Sequence, residues 1–241
     1  MMSGDIWREV YDSENAIAAL SGKRLEDIIP RTNDSTSAPP DESFLTVRVL
    51  SEQAIKTELL RLLGETGRGD SLSMAMFYLT EREVMRSLLD AAERGAVVRI
   101  ILDPSKDAFG YDKHGIPNRQ AAAELVRKSG QAIKIRWQNT HGEQFHAKLV
   151  SVRKTDGTSA LLLGSANLTR RNIRGYNLEL DVRISGSSDA ACMERTSSFF
   201  ERLWSNEAGD PYTLDYEAYE DTSLLKTMLY RVYEYAGLST F

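Results

Sequence analysis

The sequence predicts an α/β protein built on a mixed, largely parallel β-sheet sandwiched by helices. Three observations carry that expectation. Apolar runs of strand length at 44–50, 71–79 and 96–102 alternate with stretches of helical periodicity. The second and third runs bracket a helix, and such a β-α-β unit implies parallel strands with a right-handed crossover. Further on, runs at 147–152 and 159–164 flank Lys154–Gly157 and read as a hairpin through Thr-Asp-Gly-Thr.

Taken in order, residues 5–22 carry a broken apolar pattern, enough for one or two short helical turns. Residues 31–42 (RTNDSTSAPPDE) are polar, with adjacent prolines, and read as a linker. Residues 1–43 are therefore taken as an N-terminal segment and linker, and 44–241 as a domain with a C-terminal helical tail. A strand at 44–50 leads to an amphipathic helix at 52–64, with Ser51 as N-cap and Ile55, Leu59, Leu62 and Leu63 on one side. After the strand at 71–79, Thr80 and Glu83 have capping-box spacing, and Gly95 supplies the C-terminal stop. Residues 103–118 form a long loop rich in Gly, Pro and Asp. A helix at 119–129 and a strand at 132–137 follow. Beyond the hairpin come a strand near 177–184, a helix at 189–204 and a helical tail at about 212–236.

Composition excludes some classes of function. With 241 residues, 41% of them hydrophobic, the chain can form one well-cored domain. Net charge is -5, and a dedicated nucleic-acid binder is more often basic over its binding domain. The single cysteine, Cys192, excludes an internal disulfide framework and reads as a small buried residue of a helix. Its count fits a reducing compartment, and a cytoplasmic location is expected. No stretch approaches the roughly 18 consecutive apolar residues of a membrane span. The N-terminus lacks a basic run followed by an apolar segment, so no signal peptide is expected.

The chemistry concentrates in Gly142–Val182. His146 and Lys148 are one residue apart, which on a strand puts both side chains on one face. Ser165 and Asn167 repeat that spacing after Gly164, and Glu179 follows on the next strand. These side chains suit a phosphodiester. Neutral imidazole attacks phosphorus as a covalent nucleophile, and a second imidazolium protonates the leaving oxygen. Lysine and asparagine hold phosphoryl oxygens without a metal. A glutamate on the far ring nitrogen would fix the histidine tautomer and favour its cation.

His146-x-Lys148 followed by Gly164-Ser165-x-Asn167 resembles the signature of the phospholipase D superfamily, H-x-K-x4-D-x6-G-S-x-N. Glu179 matches the downstream glutamate that supports the catalytic histidine in that family. The motif's aspartate position falls on Arg153, and the spacing to Gly-Ser is longer. A lengthened hairpin that relocates or loses the aspartate accounts for both, with Asp156 as the nearest candidate. The segments MAMFYLTEREVMRSLLDAAERGAVVRIILDPSKDAFG, GIPNRQAAAEL and THGEQFH look like a bacterial cardiolipin-synthase-like branch, and the likeness covers roughly residues 44–205.

The resemblance implies a phospholipase D-like half and a phosphodiesterase or phosphatidyltransferase acting on phospholipid. His146 would be the reacting imidazole, Lys148, Ser165 and Asn167 would bind phosphoryl oxygens, and Glu179 would orient His146. No metal or organic cofactor is implied. A single copy cannot supply two histidines, since of His114, His141 and His146 only the last has a lysine two residues on. A second His-x-Lys half is therefore expected, from a homodimer or from an N-terminal half of a longer protein. Residues 5–22 look like the joint that follows a first copy in longer relatives. A lipid substrate would bring peripheral membrane contact.

Glu143 and Gln144 are candidates for the pocket rim, with Gly164 in the binding turn. Arg170, with Arg171, is a candidate to face an anionic substrate. His141 and His114 read as loop residues and Asp103 as a turn residue. The tail tyrosines (Tyr212, Tyr216, Tyr219, Tyr230, Tyr233 and Tyr235) read as packing on their own domain. Two rival readings stand beside the enzyme: a metal-independent nuclease formed by dimerisation, and a non-catalytic module of the same fold.

Overall fold

The computed structural model of the protein describes residues 6–23, 45–108, 111–209 and 211–236. The expected linker and the domain boundary at 43/44 lie outside the described residues. The expected short turns near the N-terminus are instead one continuous helix, α1 (Ile6–Leu20), lying against the edge strand β1 (Thr46–Ser51). Helix α2 (Gln53–Gly64) buries Ile55, Leu59, Leu62 and Leu63, as their spacing requires. Its N-cap is Glu52, at φ 54°; Ser51, the expected cap, is still the last residue of the strand.

Strand β2 (Ser71–Met76), helix α3 (Arg82–Glu93) and strand β3 (Val97–Leu102) form the expected crossover unit. Here too the cap sits one residue later than expected. Glu81 caps α3 by accepting from the Glu83 amide, whereas the Thr80 hydroxyl is buried with no hydrogen-bond partner among the described residues. Gly95 does end the helix segment, at φ 90°, a conformation that costs glycine little. The long loop carries a two-residue ladder, β4 (Asp107–Ala108) with β5 (Tyr111–Asp112). Then come α4 (Asn118–Lys128), β6 (Lys134–Gln138), β7 (Lys148–Arg153), β8 (Thr158–Gly164), α5 (Arg170–Ile173), β9 (Leu180–Ser187), α6 (Ala191–Ser205), β10 (Thr213–Asp215) and α7 (Leu224–Ala236).

The strands form one mixed sheet in the order β1-β9-β8-β7-β2-β3-β6-β10. The α/β class with a mixed sheet holds. Among the described strands, parallel pairing is confined to β2–β3 and β3–β6, less than the largely parallel sheet expected. The physical reason is connection length: β7 and β8 are joined by a tight hairpin, which forces antiparallel pairing, and only the helix-linked strands run parallel. One face of the sheet (Leu72, Met74, Met76, Val98, Ile100) packs under α2, α3 and α4. The other places Ile101 against Phe200 and Leu203 of α6, and Leu161 against Met193. Cys192 borders this second layer and is half-buried rather than buried.

The tail is not helical throughout. It first adds β10 to the edge of β6, with Leu214 opposite Trp137. Trp137 is fully buried, and its cover explains the detour. Its indole N–H donates to the Tyr216 carbonyl at 2.8 Å, and the rings of Tyr216 and Tyr219 lie 6.4 and 6.2 Å away. Tyr212 and Tyr230 also pack inward, whereas Tyr233 and Tyr235 of α7 are exposed.

Candidate active site

Four strand ends meet at one end of the sheet. β2 and β7 run antiparallel with Met76 opposite Lys148, which brings the C-terminal end of β2 to the start of β7. β8 and β9 bring Gly164 opposite Asp181. His146 precedes β7 rather than lying within it, but the ladder continues past the strand: the Phe77 amide donates to the Ala147 carbonyl at 2.8 Å. The one-residue spacing therefore still sets His146 and Lys148 on one face. Both lie on Phe77, the imidazole with its centroid 4.9 Å from the ring and the Lys148 ammonium 5.2 Å above it. The ammonium donates to the His146 carbonyl at 3.0 Å.

The electrostatics follow from this crowding. Partial burial, and then the positive charge of Lys148, hold the His146 imidazole below its ordinary pKa. The neutral ring is the favoured form, the reverse of the cation expected from a glutamate partner. Burial lowers the Lys148 ammonium to about 8, and the carboxylates of Glu179 and Asp181 act the other way. Asp181, 3% exposed, is pushed up by burial to about 6.

The turn after β8 is built on Asp181. Its Oδ1 accepts from the Ala166 amide at 3.1 Å. A Cβ at position 164 would collide with that oxygen and with the backbone of Leu180 and Asp181, so only glycine fits. The Ser165 amide donates to the Leu180 carbonyl at 3.1 Å, and the Ser165 hydroxyl accepts from the Leu180 amide at 3.0 Å. That hydroxyl also donates to Glu179, whose other oxygen accepts from the Asn172 carboxamide. No hydrogen bond joins Glu179 to His146 among the described residues; the carboxylate braces the turn and lends charge to Lys148. The Glu179 backbone is held by Glu52, whose amide donates to the Glu179 carbonyl and whose carboxylate accepts from the Glu179 amide, both at 3.2 Å. The Asn167 carboxamide oxygen is buried and lacks a hydrogen-bond partner among the described residues.

The remaining sequence candidates divide. Glu143 is exposed and accepts from the His141 amide at 2.8 Å, so it shapes the loop leading to His146. The Gln144 carbonyl accepts from the His146 amide at 3.0 Å. Arg170 does not turn to the site. Its guanidinium donates to the Tyr235 carbonyl at 2.7 Å and its amide to Glu234, which ties it to α7. Arg171 bonds Asn177. His114 and His141 are exposed loop residues, as read. Asp156 does not replace the motif's aspartate. It lies in the hairpin turn, at the far end of β7 from Lys148, and accepts from the Thr158 amide and hydroxyl. Arg153 reaches Asp189 at 3.7 Å, also at that far end.

Sequence reasoning missed Asp181 and Asn118, and undervalued Asp103. Asn118, fully buried, donates to the carbonyls of Phe77 and Asp103 and accepts from the Leu79 amide, which clamps the ends of β2 and β3 together. Asp103 accepts from the Ser105 amide at 2.7 Å and from the Phe145 amide at 2.8 Å, so it fixes the chain one residue before His146. The signal for Asp181 was present: an aspartate inside an apolar strand, two residues after Glu179. Among the described residues, no cluster of His, Cys, Asp and Glu is arranged to hold a metal ion.

This sheet, with a cluster of polar side chains at one end, defines an α/β protein of the phospholipase D-like fold. Nuc, a phospholipase D family member from Salmonella typhimurium, superposes with TM-score 0.51 at 22% identity, covering 71% of this chain and 98% of that one. NucT from Helicobacter pylori gives 0.50 at 16%, covering 72% and 99%. A phosphatidylserine synthase from Haemophilus influenzae gives 0.54 at 14%; it covers 80% of this chain, which spans only 46% of that one. The family model described as cardiolipin synthase, PLD-like domain, matches residues 59–204, more than half of the sequence, and the chain belongs to that family. No curated protein matches it.

Proposed function

We propose that the chain is one half of a phosphodiesterase or phosphatidyltransferase that acts on phospholipids through a phosphohistidine at His146. The observation that carries this reading is the exposed His146 imidazole, biased toward its neutral form, with the half-buried Lys148 ammonium, both in contact with the Phe77 ring. The neutral ring nitrogen attacks phosphorus, forming a P–N bond. The P–O bond to the leaving alcohol breaks, and that oxygen takes a proton from a second imidazolium. Water or an acceptor alcohol then gives its proton back to that second ring and attacks phosphorus, which frees His146. Lys148 and Asn167 hold the non-bridging oxygens, while Ser165 and Glu179 keep the turn in place.

The second imidazole comes from another half, either a second copy of this chain or a preceding half of a longer protein. The fold match supports both routes, since one match is about the length of this unit and another about twice it. A phospholipid substrate is favoured over nucleic acid by the family description and the acidic net charge. The test is parallel incubation, in EDTA, with a fluorescent phospholipid and with single-stranded DNA. Lipid turnover with intact DNA is expected; DNA cleavage with untouched lipid would reverse the reading.

A further inference from the structure

Helix α7 is packed inside out. Its inward edge is polar: Tyr230 is fully buried and Glu234 is 4% exposed. Lys226 donates to the His114 carbonyl and to Asp221, and Arg231 pairs with Glu124. Its outward face is apolar, with Leu224, Leu225, Met228, Val232 and Tyr235 at 85, 74, 63, 55 and 83% exposure. At the 3.6-residue period these side chains form one continuous stripe.

Beside this helix lies an open cavity of about 620 Å³ lined by the cations Arg82, Lys128, Arg170, Arg174 and Arg231 and by the carboxylates Glu81 and Glu234. Arg174 is balanced by Glu81 and Glu83. Arg82, Lys128 and Arg231 instead share one buried carboxylate, Glu124, at 2.7, 2.7 and 3.2 Å. The five cations of the lining face four carboxylates, Glu81, Glu83, Glu124 and Glu234, so the wall keeps a small surplus of positive charge at the foot of an apolar stripe.

We infer that α7 is a docking element for an anionic phospholipid bilayer, its apolar stripe entering the interface while the adjoining cation cavity receives a lipid phosphate. Helices of this kind lie in the membrane plane with the apolar face buried, and anionic lipid adds attraction for nearby Lys and Arg. A second copy of the chain fits less well. Thirteen residues make a helix about 20 Å long. Its footprint of a few hundred Å² falls short of the roughly 800 Å² per partner in a stable dimer. A two-fold axis through α7 would also bring both cation clusters together. Docking here serves the proposed reaction, on whose phospholipid reading it rests, because Glu234 and Tyr235 bond Arg170, three residues beyond Asn167.

The test uses the full chain carrying Met228→Cys in a Cys192→Ser background, labelled with an environment-sensitive fluorophore. Vesicles of phosphatidylcholine containing about 30% phosphatidylglycerol should shift its emission to the blue, with affinity at least about tenfold above that for phosphatidylcholine alone and weakened by about 0.5 M salt. Leu225→Glu with Val232→Glu should abolish sedimentation of unlabelled protein with anionic vesicles while leaving the thermal midpoint unchanged. His146→Ala should sediment like the wild type, so loss of chemistry and loss of docking are read separately. Equal or no binding to the two vesicle types overturns the inference. So does a concentration-dependent blue shift without vesicles, which would assign the stripe to a second copy.

Discussion

A positive charge beside an imidazole opposes a second one, and this sets the pH behaviour of the site. His146 lies below its ordinary pKa because of burial and the Lys148 ammonium, and Lys148 is lowered by burial to about 8. The proposed chemistry needs the ring neutral and the ammonium charged. Activity should therefore rise as pH increases through a value below 6.5, fall as the second imidazolium loses its proton, and fall further above about 8 as Lys148 titrates, a profile measurable by steady-state rates in constant-ionic-strength buffers. Asp181 gives a stability counterpart. Its carboxyl is raised from 3.8 to about 6, so between those values the folded chain binds more protons than the unfolded one. Stability from this group falls as pH rises through that window, by about 3 kcal/mol in all, and the cost stays fully expressed above it. Asp181→Asn keeps an acceptor for the Ala166 amide and removes the charge. Its urea midpoint should exceed the wild type near about pH 7.5 and converge with it below about pH 4.

At the scale of elements, the site is held by polar clamps between strand ends. Asn118 satisfies three buried backbone groups on Phe77, Leu79 and Asp103. Asn118→Ala leaves all three unpaired and should cost about 3 kcal/mol in urea unfolding, with faster hydrogen exchange at the Leu79 amide. Such clamps are poorly legible in sequence, since an asparagine at the start of a helix reads as a cap and its partners are 15 to 41 residues away. What was legible rested on short-range pattern. The period of β2, α3 and β3, the Gly95 stop and the β7–β8 hairpin all follow from neighbours in the chain. The capping positions at Ser51 and Thr80 slipped by one residue, because strand pairing with β9 and the bridge from Leu79 to Leu168 extend the preceding segments. β10 has only three residues and takes its place from the need to cover Trp137, which no local signal announces. The tie of Arg170 to α7 was not legible for a like reason: its partner lies 65 residues on.

At the scale of the molecule, the layers gather polar side chains at one end of the sheet and leave a hairpin turn at the other. His146, Lys148, Gly164, Ser165, Asn167, Glu179 and Asp181 gather at the first, while the hairpin turn with Asp156 closes the second. The shared face of His146 and Lys148 was readable because alternate spacing near a strand fixes the face. The bracing of Glu179 by Ser165 and Asn172 was not, since it depends on how β8 and β9 join. On the proposed reading, one His-x-Lys per chain calls for a second half, with His146 indispensable in this one. The most direct test is turnover of a labelled phospholipid by His146→Ala in the assembled protein. Because His146 is exposed, its truncation should leave the thermal midpoint within about 1 °C. The account predicts a loss of at least about a thousandfold in kcat at that unchanged midpoint; full activity in this variant would contradict it.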